Sequence, residues 1–504
     1  MQKLLIPRGY KDKEVLQKKL KNSTSIQWRE RGKKFALKIF KDVSTRVPAY
    51  KQFLDAHGID PINIKNFTDL KKVPAVDKDN YLRLYQKKNL CWDGSFGQGS
   101  WVISTTSGST GQPYYFPRQI SQDWQYAVVA EQYLLSNFHI DQQKTLYIVA
   151  FPMGAWIGGV FTYEAIKTVA EKGYDLSIIT PGIHKQEIIN AVKQLTGSFD
   201  QVIIGAYAPF LKDILEDGER DGIIWRDINV KFVFSAEAFS EKFRDYVFEK
   251  VGMKDPIRGT LNHYGTVDLG TMAHETPLSI MIRRWLFFTG NQKIVFPEVH
   301  KQPTLCQYNP ELFYFEEQDN NLLCSAYSGI PLFRYDLKDY GGLVEYDAMV
   351  ELLKNAGLDV EDEMSKLRLQ DTHWKLPFVY IYERNDFSVS YYAFNLYPDP
   401  VRKALLGGQF QDLLTGKFTM LVDYSSEGRQ QLIINVECAY GINGAKELES
   451  STVTALHEAL MLESTEYPEV FAMYGAAAKP HVRLFEYENQ ENFKPGTKQK
   501  WVKK

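Results

Sequence analysis

Predicted strands and helices alternate along the middle of this chain of 504 residues, and this alternation constrains the fold more than any other feature. The predicted strands are short apolar runs: Thr145–Phe151, Asp175–Ile179, Gln201–Ala206 and Val230–Ser235. The predicted helices lie between and after them: Lys185–Leu195, Pro209–Glu216 and a helix that Ser240 caps and Gly252 ends. Such alternation is typical of parallel βαβ units. Because sheets of this kind bind ligands at the carboxyl ends of their strands, we expect functional residues at that edge.

The regions on either side of this alternation follow other patterns. Residues 10–57 have helical spacing of apolar residues, whereas residues 277–324 are predicted as strands and turns, including Leu286–Phe288 and Lys293–Phe296. Residues 346–372 form an acidic, helical insertion to which no function is assigned. Residues 400–504 predict a small α+β unit with these elements: a hairpin of Lys417–Tyr424 and Gln431–Cys438, a helix Lys446–Leu462 and a strand His481–Tyr487.

Composition excludes several classes of protein. Hydrophobic residues make up 44% and charged residues 24%, and the net charge of −2 gives no reason to expect nucleic acid or an anionic membrane as a partner. The four cysteines are far apart and match neither a zinc spacing nor a disulfide framework. No apolar run reaches the ~18 residues of a membrane span, and none resembles a signal peptide, so we expect a cytoplasmic protein.

The loop Thr105–Pro113 is the first candidate for chemistry. Five hydroxyl side chains and two glycines lie within residues 105–111, between two short predicted strands. Glycines let backbone N–H groups approach an anion, and hydroxyls add donors around phosphate oxygens. The loop matches neither the Walker P-loop nor the dinucleotide-binding turn, and a flexible surface loop is the alternative interpretation.

Four further segments carry polar residues at predicted loops or strand ends. They are Val73–Lys78, with Asp77 as a candidate helix cap, Tyr264–Asp268, Arg334–Asp339 and Tyr382–Asp386. A basic tail, Phe493–Trp501, ends the chain. Together with the hydroxyl-rich loop, and in this order, these segments resemble the motifs of the adenylate-forming superfamily of acyl-CoA synthetases, adenylation domains and luciferases. The resemblance is closest to the phenylacetate–CoA ligase branch and spans roughly residues 45–500.

The resemblance implies roles for individual residues. The expected nucleotide-binding residues are Thr106, Ser107, Gly108, Ser109, Thr110, Gly111, Ala236, Glu237, Tyr264, Gly265, Thr266, Asp339 and Arg384. Asp339 would accept hydrogen bonds from both ribose hydroxyls, and Asp268 would help to hold Mg²⁺. Lys498, with Lys500 as the second choice, would act in catalysis together with Thr110, and Asp386 would be the hinge. For the tail lysines, a solvated basic terminus is the alternative.

The chain also departs from the family pattern at five positions. Gln112 stands where Lys is usual, Val267 where Thr is usual, and Asp268 where Glu is usual. Glu383 and Ala393 each replace a Gly, and Ala393 lies in the segment that the family places beside the thiol acceptor.

The implied fold is α/β, with a large N-terminal region of parallel βαβ sheets and a small β region, followed by a smaller, mobile α+β lid. The implied boundaries are residues 1–383 for the adenylation core, 384–386 for the hinge and 387–504 for the lid. The implied reaction is ATP- and Mg²⁺-dependent activation of an aryl or other apolar carboxylic acid as acyl-AMP, with transfer to coenzyme A. One alternative is an adenylating enzyme that passes the acyl group to an amine, a protein or a carrier protein. The other is a non-catalytic ligand-binding protein. The sequence does not name the acid, and it leaves open whether the protein is a homodimer.

Overall fold

The computed structural model describes residues 6–105, 114–155, 157–235, 238–297, 302–382, 389–391, 394–425, 430–464, 467–495 and 501–502. Within these ranges the strands are, in chain order, β1 (Val102–Thr105), β2 (Tyr115–Arg118), β3 (Thr145–Val149), β4 (Leu176–Ile179), β5 (Gln201–Ala206), β6 (Val230–Ser235), β7 (Thr260–Thr266), β8 (Gly270–His274), β9 (Thr304–Gln307), β10 (Phe313–Gln318), β11 (Asn321–Ala326), β12 (Leu332–Val344), β13 (Phe378–Ile381), β14 (Val389–Tyr391), β15 (Phe394–Leu396), β16 (Leu414–Tyr424), β17 (Gln430–Cys438) and β18 (His481–Phe485).

The α-helices of the same ranges are α1 (Lys13–Asn22), α2 (Ser25–Arg46), α3 (Pro48–Ala56), α4 (Lys87–Leu90), α5 (Ile120–Phe138), α6 (Ile157–Ala170), α7 (Lys185–Leu195), α8 (Ala208–Arg220), α9 (Glu241–Val251), α10 (Pro277–Thr289), α11 (Tyr346–Asn355), α12 (Val360–Lys366), α13 (Pro398–Leu405), α14 (Lys446–Glu463) and α15 (Tyr467–Tyr474). Among the described residues, no helix combines the length and the apolar character that crossing a bilayer requires.

The largest element is one sheet of eleven strands in the order β10-β11-β12-β13-β9-β8-β7-β6-β5-β3-β4. Neighbouring strands run parallel from β4 to β7, with helices between them in the chain. From β7 to β10 the neighbours run antiparallel. The predicted parallel βαβ units are therefore confirmed, and they share one continuous sheet with the antiparallel strands.

The parallel strands β3 and β5 are buried on both faces, which explains their continuous apolar sequences. Along β3, Leu146 and Ile148 belong to one hydrophobic cluster, and Tyr147 and Val149 belong to another on the opposite face. Successive side chains of a strand point to opposite faces, so one short run supplies two cores. We call the edge at which β3, β5, β6 and β7 end the carboxyl edge.

Local capping signals set the helix ends as predicted. The Ser240 hydroxyl accepts the Phe243 N–H at 3.1 Å at the start of α9, and Gly252 ends this helix with φ of 64°. Glycine adopts this left-handed conformation without steric cost. The insertion at residues 346–372 is helical, as expected, and contains α11 and α12.

The predicted strand Leu286–Phe288 is wrong, because these residues lie in a helix. Residues from Pro277 to Thr289 form α10, a largely buried helix with apolar residues on most of its surface. A short apolar run cannot distinguish a strand from a buried helix by periodicity. The caps were the available signal: Thr276 forms a capping box, and Gly290 ends the helix with φ of 71°. The run near Lys293 is also no strand, because a 3₁₀ turn occupies residues 292–294.

The described residues from Val389 onward, here called the C-terminal region, have a hydrophobic cluster of their own. As predicted, β16 and β17 form an antiparallel hairpin, and β18 lies parallel to β17. The end of the chain packs onto this sheet. The Met420 N–H donates to the Trp501 carbonyl at 2.7 Å, and the Trp501 ring lies 4.6 Å from the Phe418 ring.

Candidate functional site

The predicted site residues divide into two groups. Tyr264, Gly265, Thr266, Asp268 and Asp339 belong to the part of the chain that the structure describes. The others lie outside the described residues: Thr106, Ser107, Gly108, Ser109, Thr110, Gly111, Ala236, Glu237, Arg384, Asp386 and Lys498, together with Lys500. The geometry below therefore concerns the first group and the strands that flank the second.

Tyr264 on β7 and Asp339 on β12 are in direct contact, although 75 residues separate them. The Tyr264 hydroxyl donates to Asp339 Oδ2 at 2.7 Å, and the two residues are only 8% and 6% exposed. The Tyr264 ring also stacks on Phe315 of β10, with centroids 6.0 Å apart. Two segments that the sequence predicts to bind one nucleotide thus meet at a single buried hydrogen bond.

Asp268 lies in the turn between β7 and β8 and joins the same cluster. Tyr335, four residues before Asp339 on β12, donates its hydroxyl to Asp268 Oδ2 at 3.2 Å. The Lys78 ammonium lies 3.6 Å from Asp268 Oδ1. Asp268 is 5% exposed, so a nearly buried carboxylate is held by a phenol and a cation. Because Tyr335 and Asp339 both lie on β12, this strand links Asp268 to the pair of Tyr264 and Asp339.

Backbone pairing places Lys78 in this site. Val76 donates its N–H to the Arg334 carbonyl at 3.0 Å, and Asp336 donates its N–H to the Val76 carbonyl at 2.9 Å. Asp77 then caps the short π-helical turn that starts at Lys78, which confirms the predicted cap. Sequence reasoning missed a role for Lys78 because its position depends on this long-range pairing. Its signals in the sequence were its place directly after the capping residue and its membership of the motif segment Val73–Lys78.

The hairpin of β1 and β2 holds both ends of the hydroxyl-rich loop. Thr105 pairs with Tyr115, and the Thr105 N–H donates to the Ala155 carbonyl at 2.9 Å, next to the end of β3. On the same hairpin, Arg118 Nη1 donates to the Ser104 hydroxyl at 2.8 Å. Lys78 Nζ lies 5.9 Å from the centroid of the Phe116 ring on β2. The strands that carry residues 106–113 are therefore anchored beside the cluster of Asp268 and Lys78.

Gly265 and Thr266 shape the end of β7. A Cβ atom on Gly265 would lie 2.8 Å from the Gly270 carbonyl oxygen and 3.0 Å from Thr271 Cα. Real side chains do not approach backbone that closely, so the contact between β7 and β8 requires glycine here. The Thr266 hydroxyl accepts the Leu269 N–H at 3.3 Å and closes the turn that carries Asp268.

Two buried histidines, His263 of β7 and His274 of β8, pack against the Tyr133 ring. Burial, with the neighbouring His274, lowers the pKa of His263 to about 3, and burial lowers the pKa of His274 to about 4. His274 Nδ1 lies 2.9 Å from the Glu275 carbonyl, and Glu275 accepts from Arg244 at 2.8 Å. His274 and Glu275 therefore take part in local polar contacts.

All parts of the cluster lie at or beside the carboxyl edge, where β7 delivers Tyr264 to Asp268 and β3 leads to Ala155. A buried tyrosine–carboxylate pair can accept hydroxyl donors, and a second carboxylate beside a lysine can take part in binding a metal–phosphate group. The arrangement is suited to an anionic, hydroxyl-bearing ligand such as a nucleotide.

Comparisons with known proteins show which fold this chain has. No protein-family model and no curated protein matches the chain. Among solved structures, it is similar to a 2-hydroxyisobutyryl-CoA ligase in the postadenylation state with 2-HIB-AMP, with a TM-score of 0.66, 14% identity, and coverage of 96% of this chain and 91% of that one. The same ligase in the thioesterification state with 2-HIB-AMP and CoA gives a TM-score of 0.54, 14% identity and coverage of 93% and 88%. Its open conformation gives a TM-score of 0.52 and 14% identity, with coverage of 94% of this chain and 90% of that one. The fold expected from the sequence is thereby confirmed, and this chain has the fold of the adenylate-forming superfamily.

Proposed function

We propose that this protein activates a carboxylic acid with ATP and transfers the acyl group to coenzyme A. The acid carboxylate attacks the α-phosphate, which gives acyl-AMP and releases pyrophosphate. The thiol of coenzyme A then attacks the acyl carbon, which gives a thioester and releases AMP. The observation that carries this proposal is the convergence of Tyr264, Asp268 and Asp339 in one buried cluster at the carboxyl edge.

Asp339 is the proposed ribose ligand. A carboxylate can accept up to about four hydrogen bonds, so accepting from Tyr264 does not prevent it from accepting from the two ribose hydroxyls. The Tyr264 hydroxyl fixes the orientation of this carboxylate, and its ring supplies a flat surface beside the site for the adenine base. Preorganised acceptors of this kind lower the cost of ordering the nucleotide.

Asp268 is the proposed contact for Mg²⁺, and its chemistry fits the ion. Carboxylate oxygen is the ligand type that Mg²⁺ prefers, and the ion commonly keeps several waters and phosphate oxygens. In the described part of the chain, no group of three or more His, Cys, Asp or Glu side chains is arranged to hold a metal. The other ligands would therefore come from phosphate, water or residues beyond those described. Lys78 would add a cation beside the phosphates, where the chain has Gln112 in place of the usual lysine.

The residues outside the described ranges retain the roles that the resemblance implies. Backbone N–H and hydroxyl groups of Thr106–Gly111 would hold the phosphates, with Thr110 at the reacting group. Ala236 and Glu237 would border adenine, and Arg384 would contact ribose and phosphate. Lys498 would neutralise charge at the α-phosphate during attack. Support comes from the anchored ends of the loop, at Thr105 and Tyr115, and from Ser235 at the end of β6.

The proposed domain boundaries are residues 1–383, 384–386 and 387–504, with Asp386 as the hinge of a C-terminal lid. The separate hydrophobic cluster of the C-terminal region supports this division. We further propose that the lid lies here in the orientation that serves acyl-AMP formation. The higher TM-score to the postadenylation state than to the thioesterification state of the similar ligase supports this assignment.

The proposed acid is aryl or otherwise apolar, as in the phenylacetate–CoA ligase-like branch. The resemblance implies that the segment around Gly158, at the start of α6, borders the acyl group, and two aromatic side chains pack against this segment. The rings of Phe151 and Tyr207 lie 5.5 Å apart, and a Cβ atom on Gly158 would approach Phe151 to 3.4 Å and the Tyr207 hydroxyl to 3.5 Å. Glycine at this position leaves a flat group room beside the two rings.

Acid-dependent exchange of labelled pyrophosphate into ATP tests the proposal. A panel of aryl, fatty and hydroxy acids should include at least one that supports exchange, and adding coenzyme A should yield a thioester detectable by mass. Formation of an amide only when an amine is supplied, or of a carrier-protein thioester only when a carrier protein is supplied, would correct the acceptor. Absence of exchange with every acid, while ATP still binds, would favour the non-catalytic binding protein.

A further inference from the structure

The C-terminal region contacts the rest of the protein largely through charged side chains. On α8, Phe210, Leu211 and Ile214 face the hydrophobic cluster behind the central sheet, while Lys212 and Asp213 face the C-terminal region. This is the usual division of an amphipathic helix, except that the polar face is covered by protein. A polar contact surface is typical of domains that separate and dock again.

Lys212 holds the start of β16. Its ammonium donates to the Leu414 carbonyl at 3.3 Å and to the Thr415 carbonyl at 3.1 Å, and the residue is 6% exposed. The register of β16 shifts between Leu414 and Phe418, and Gly416 in this bulge has φ of 81°. The bulge turns two nearby carbonyls toward the same cation on the other side of the interface.

Lys417 continues the contact from the opposite side. Its ammonium lies 2.5 Å from Asp213 Oδ2 on α8 and 3.1 Å from Glu437 Oε2 on β17. The three side chains are 9%, 2% and 0% exposed, in the order Lys417, Asp213 and Glu437. Burial alone would lower the pKa of Lys417, but the two carboxylates outweigh it and raise this pKa, so the lysine stays charged. If the two parts separate, Lys417 keeps Glu437 and Asp213 regains water, which makes the contact reversible.

A second set of charges lies farther along the same surface. Lys185, the first residue of α7, contacts Asp217 of α8 and Glu488 of the C-terminal region, and it donates to the Tyr487 hydroxyl at 2.8 Å. The Tyr487 hydroxyl donates to Asp217 Oδ2 at 3.0 Å. We call the contacts of Lys185, Lys212 and Lys417 across this surface the lysine interface.

The lysine interface is linked to the proposed catalytic tail through β16. Phe418 and Met420 of this strand hold Trp501, and Lys498 lies three residues before Trp501 in the chain. Three residues span at most about 11 Å, so the position of β16 limits where Lys498 can reach. Arg402 adds a contact on the nucleotide side: it stacks on Trp501 at 4.3 Å and donates to the Ala238 carbonyl at 3.5 Å.

We propose that Lys212, Lys417 and Lys185 are positioning residues that select the C-terminal orientation used for acyl-AMP formation. Their contacts must break before the region can turn for transfer to coenzyme A. This inference rests on the proposed function, since it assigns the lysine interface to one of the two half-reactions. It predicts that weakening the interface slows the first half-reaction and spares the second.

The test compares the two half-reactions in Lys212→Met and Lys417→Met. Adenylation is followed by acid-dependent pyrophosphate exchange, and transfer by thioester formation from chemically prepared acyl-AMP and coenzyme A. Exchange should fall at least tenfold in both variants, while transfer should stay the same or become faster. Because Lys417→Met leaves Glu437 without this partner and could destabilise the fold, Lys212→Met is the decisive variant. Equal loss in both half-reactions, or no loss in either, would overturn the proposal.

The matched control is Lys250→Met. Lys250 on α9 also pairs with a carboxylate of α8, lying 2.5 Å from Glu219, but it belongs to the exposed surface away from the C-terminal region. Both half-reactions should be unchanged in this variant.

Hydrogen–deuterium exchange separates failure of this inference from failure of the proposed function. In Lys212→Met, amides of α8 and β16 should exchange faster than in the unmodified protein, while those of β3 and β5 should not change. This result is expected even if no acid supports turnover. Unchanged exchange in α8 and β16 would mean that Lys212 does not hold the C-terminal region.

Discussion

At the scale of single residues, the candidate site consists of ordinary side chains whose surroundings decide their chemistry. Asp339 lies on β12, and Asp268 lies in the turn between β7 and β8. Asp339 accepts from the phenol of Tyr264, whereas Asp268 lies between the phenol of Tyr335 and the ammonium of Lys78. The first environment suits neutral hydroxyl donors, and the second suits a metal with phosphate. The two acids should therefore respond differently to substitution.

We expect Asp339→Asn to weaken ATP binding roughly tenfold or more, or about 1.4 kcal/mol, because it would replace the charged acceptor proposed for the two ribose hydroxyls. Isothermal titration calorimetry with ATP measures this directly. Asp319→Asn, in the exposed turn between β10 and β11, is the control with the same chemical change and should bind ATP normally. Equal affinity in the Asp339 variant would show that the ribose contact is assigned wrongly.

Lys498→Ala should slow acyl-AMP formation by about a hundredfold or more while ATP affinity stays nearly unchanged, because its charge is needed mainly in the transition state. Single-turnover formation of acyl-AMP is the measurement. Lys500→Ala, the neighbouring substitution in the same tail, should have a much smaller effect. The reverse order of the two variants would reassign the catalytic role to Lys500.

The buried histidines predict a dependence of stability on pH. The folded-state pKa values of His263 and His274, about 3 and about 4, lie below the value near 6.5 of an unfolded chain. As pH falls below 6.5, the unfolded chain takes up protons first, so stability is lost by up to about 1.4 kcal/mol per pH unit for each histidine. Above pH 6.5 neither histidine contributes to the slope.

Thermal unfolding between pH 7.5 and 5 measures this slope. His263→Phe keeps a ring against Tyr133, whose centroid lies 4.6 Å away, and should make the slope shallower. His481→Gln, at an exposed position, should leave it unchanged. The same slope in the unmodified protein, His263→Phe and His481→Gln would contradict the contribution of His263 to the pH dependence of stability.

At the scale of elements, the sequence predicts the βαβ units well because each strand and helix has a strong local pattern. Thr145–Val149 and Gln201–Ala206 are apolar on both faces, and Ser240 and Gly252 mark the ends of α9. The same local information fails for α10, whose burial removes the helical period. It also cannot place Lys78 or Tyr335 near Asp268, because those contacts arise from pairing between distant segments.

The close approach of β7 to β8 predicts that any residue larger than glycine at position 265 destabilises the protein. Gly265→Ala should destabilise the protein by about 1–3 kcal/mol, because the new methyl group would overlap the backbone of β8 and force a shift. Urea unfolding gives the free energy. Gly197→Ala is the control, since nothing lies within 4 Å of its new Cβ atom. If both variants unfold alike, the close approach at Gly265 is not required for stability.

At the scale of the whole molecule, two hydrophobic clusters fill the region up to Tyr382 and a third fills the C-terminal region. The sequence predicts both units, because each has its own run of strands and helices. It does not predict the charged surface between them, because the sequence pattern indicates only that Lys212 and Lys417 are solvated residues of a helix and a strand. Their burial becomes visible only when the two units are together.

We expect Trp501, near the end of the chain, to contribute strongly to the stability of the C-terminal region. Trp501 is 5% exposed and fills the cluster of the C-terminal region, so Trp501→Ala should cost about 3–5 kcal/mol of that region's stability. Calorimetry should show an earlier transition for this region, with the transition of the larger unit unchanged. A chain that ends at Val502 is the control and should match the full chain. An unshifted transition in Trp501→Ala would mean that the tail is dispensable.

The burial of all four cysteines makes site-specific labelling of added cysteines possible. Cys91, Cys306, Cys324 and Cys438 are 0% exposed, and burial raises the pKa of Cys91 to about 12, which suppresses the reactive thiolate. Maleimide dyes should therefore label only thiols that are added by design. A donor and an acceptor dye at Lys242→Cys on α9 and Lys446→Cys on α14, both exposed positions, would let single-molecule fluorescence follow the distance between these helices with every native cysteine in place.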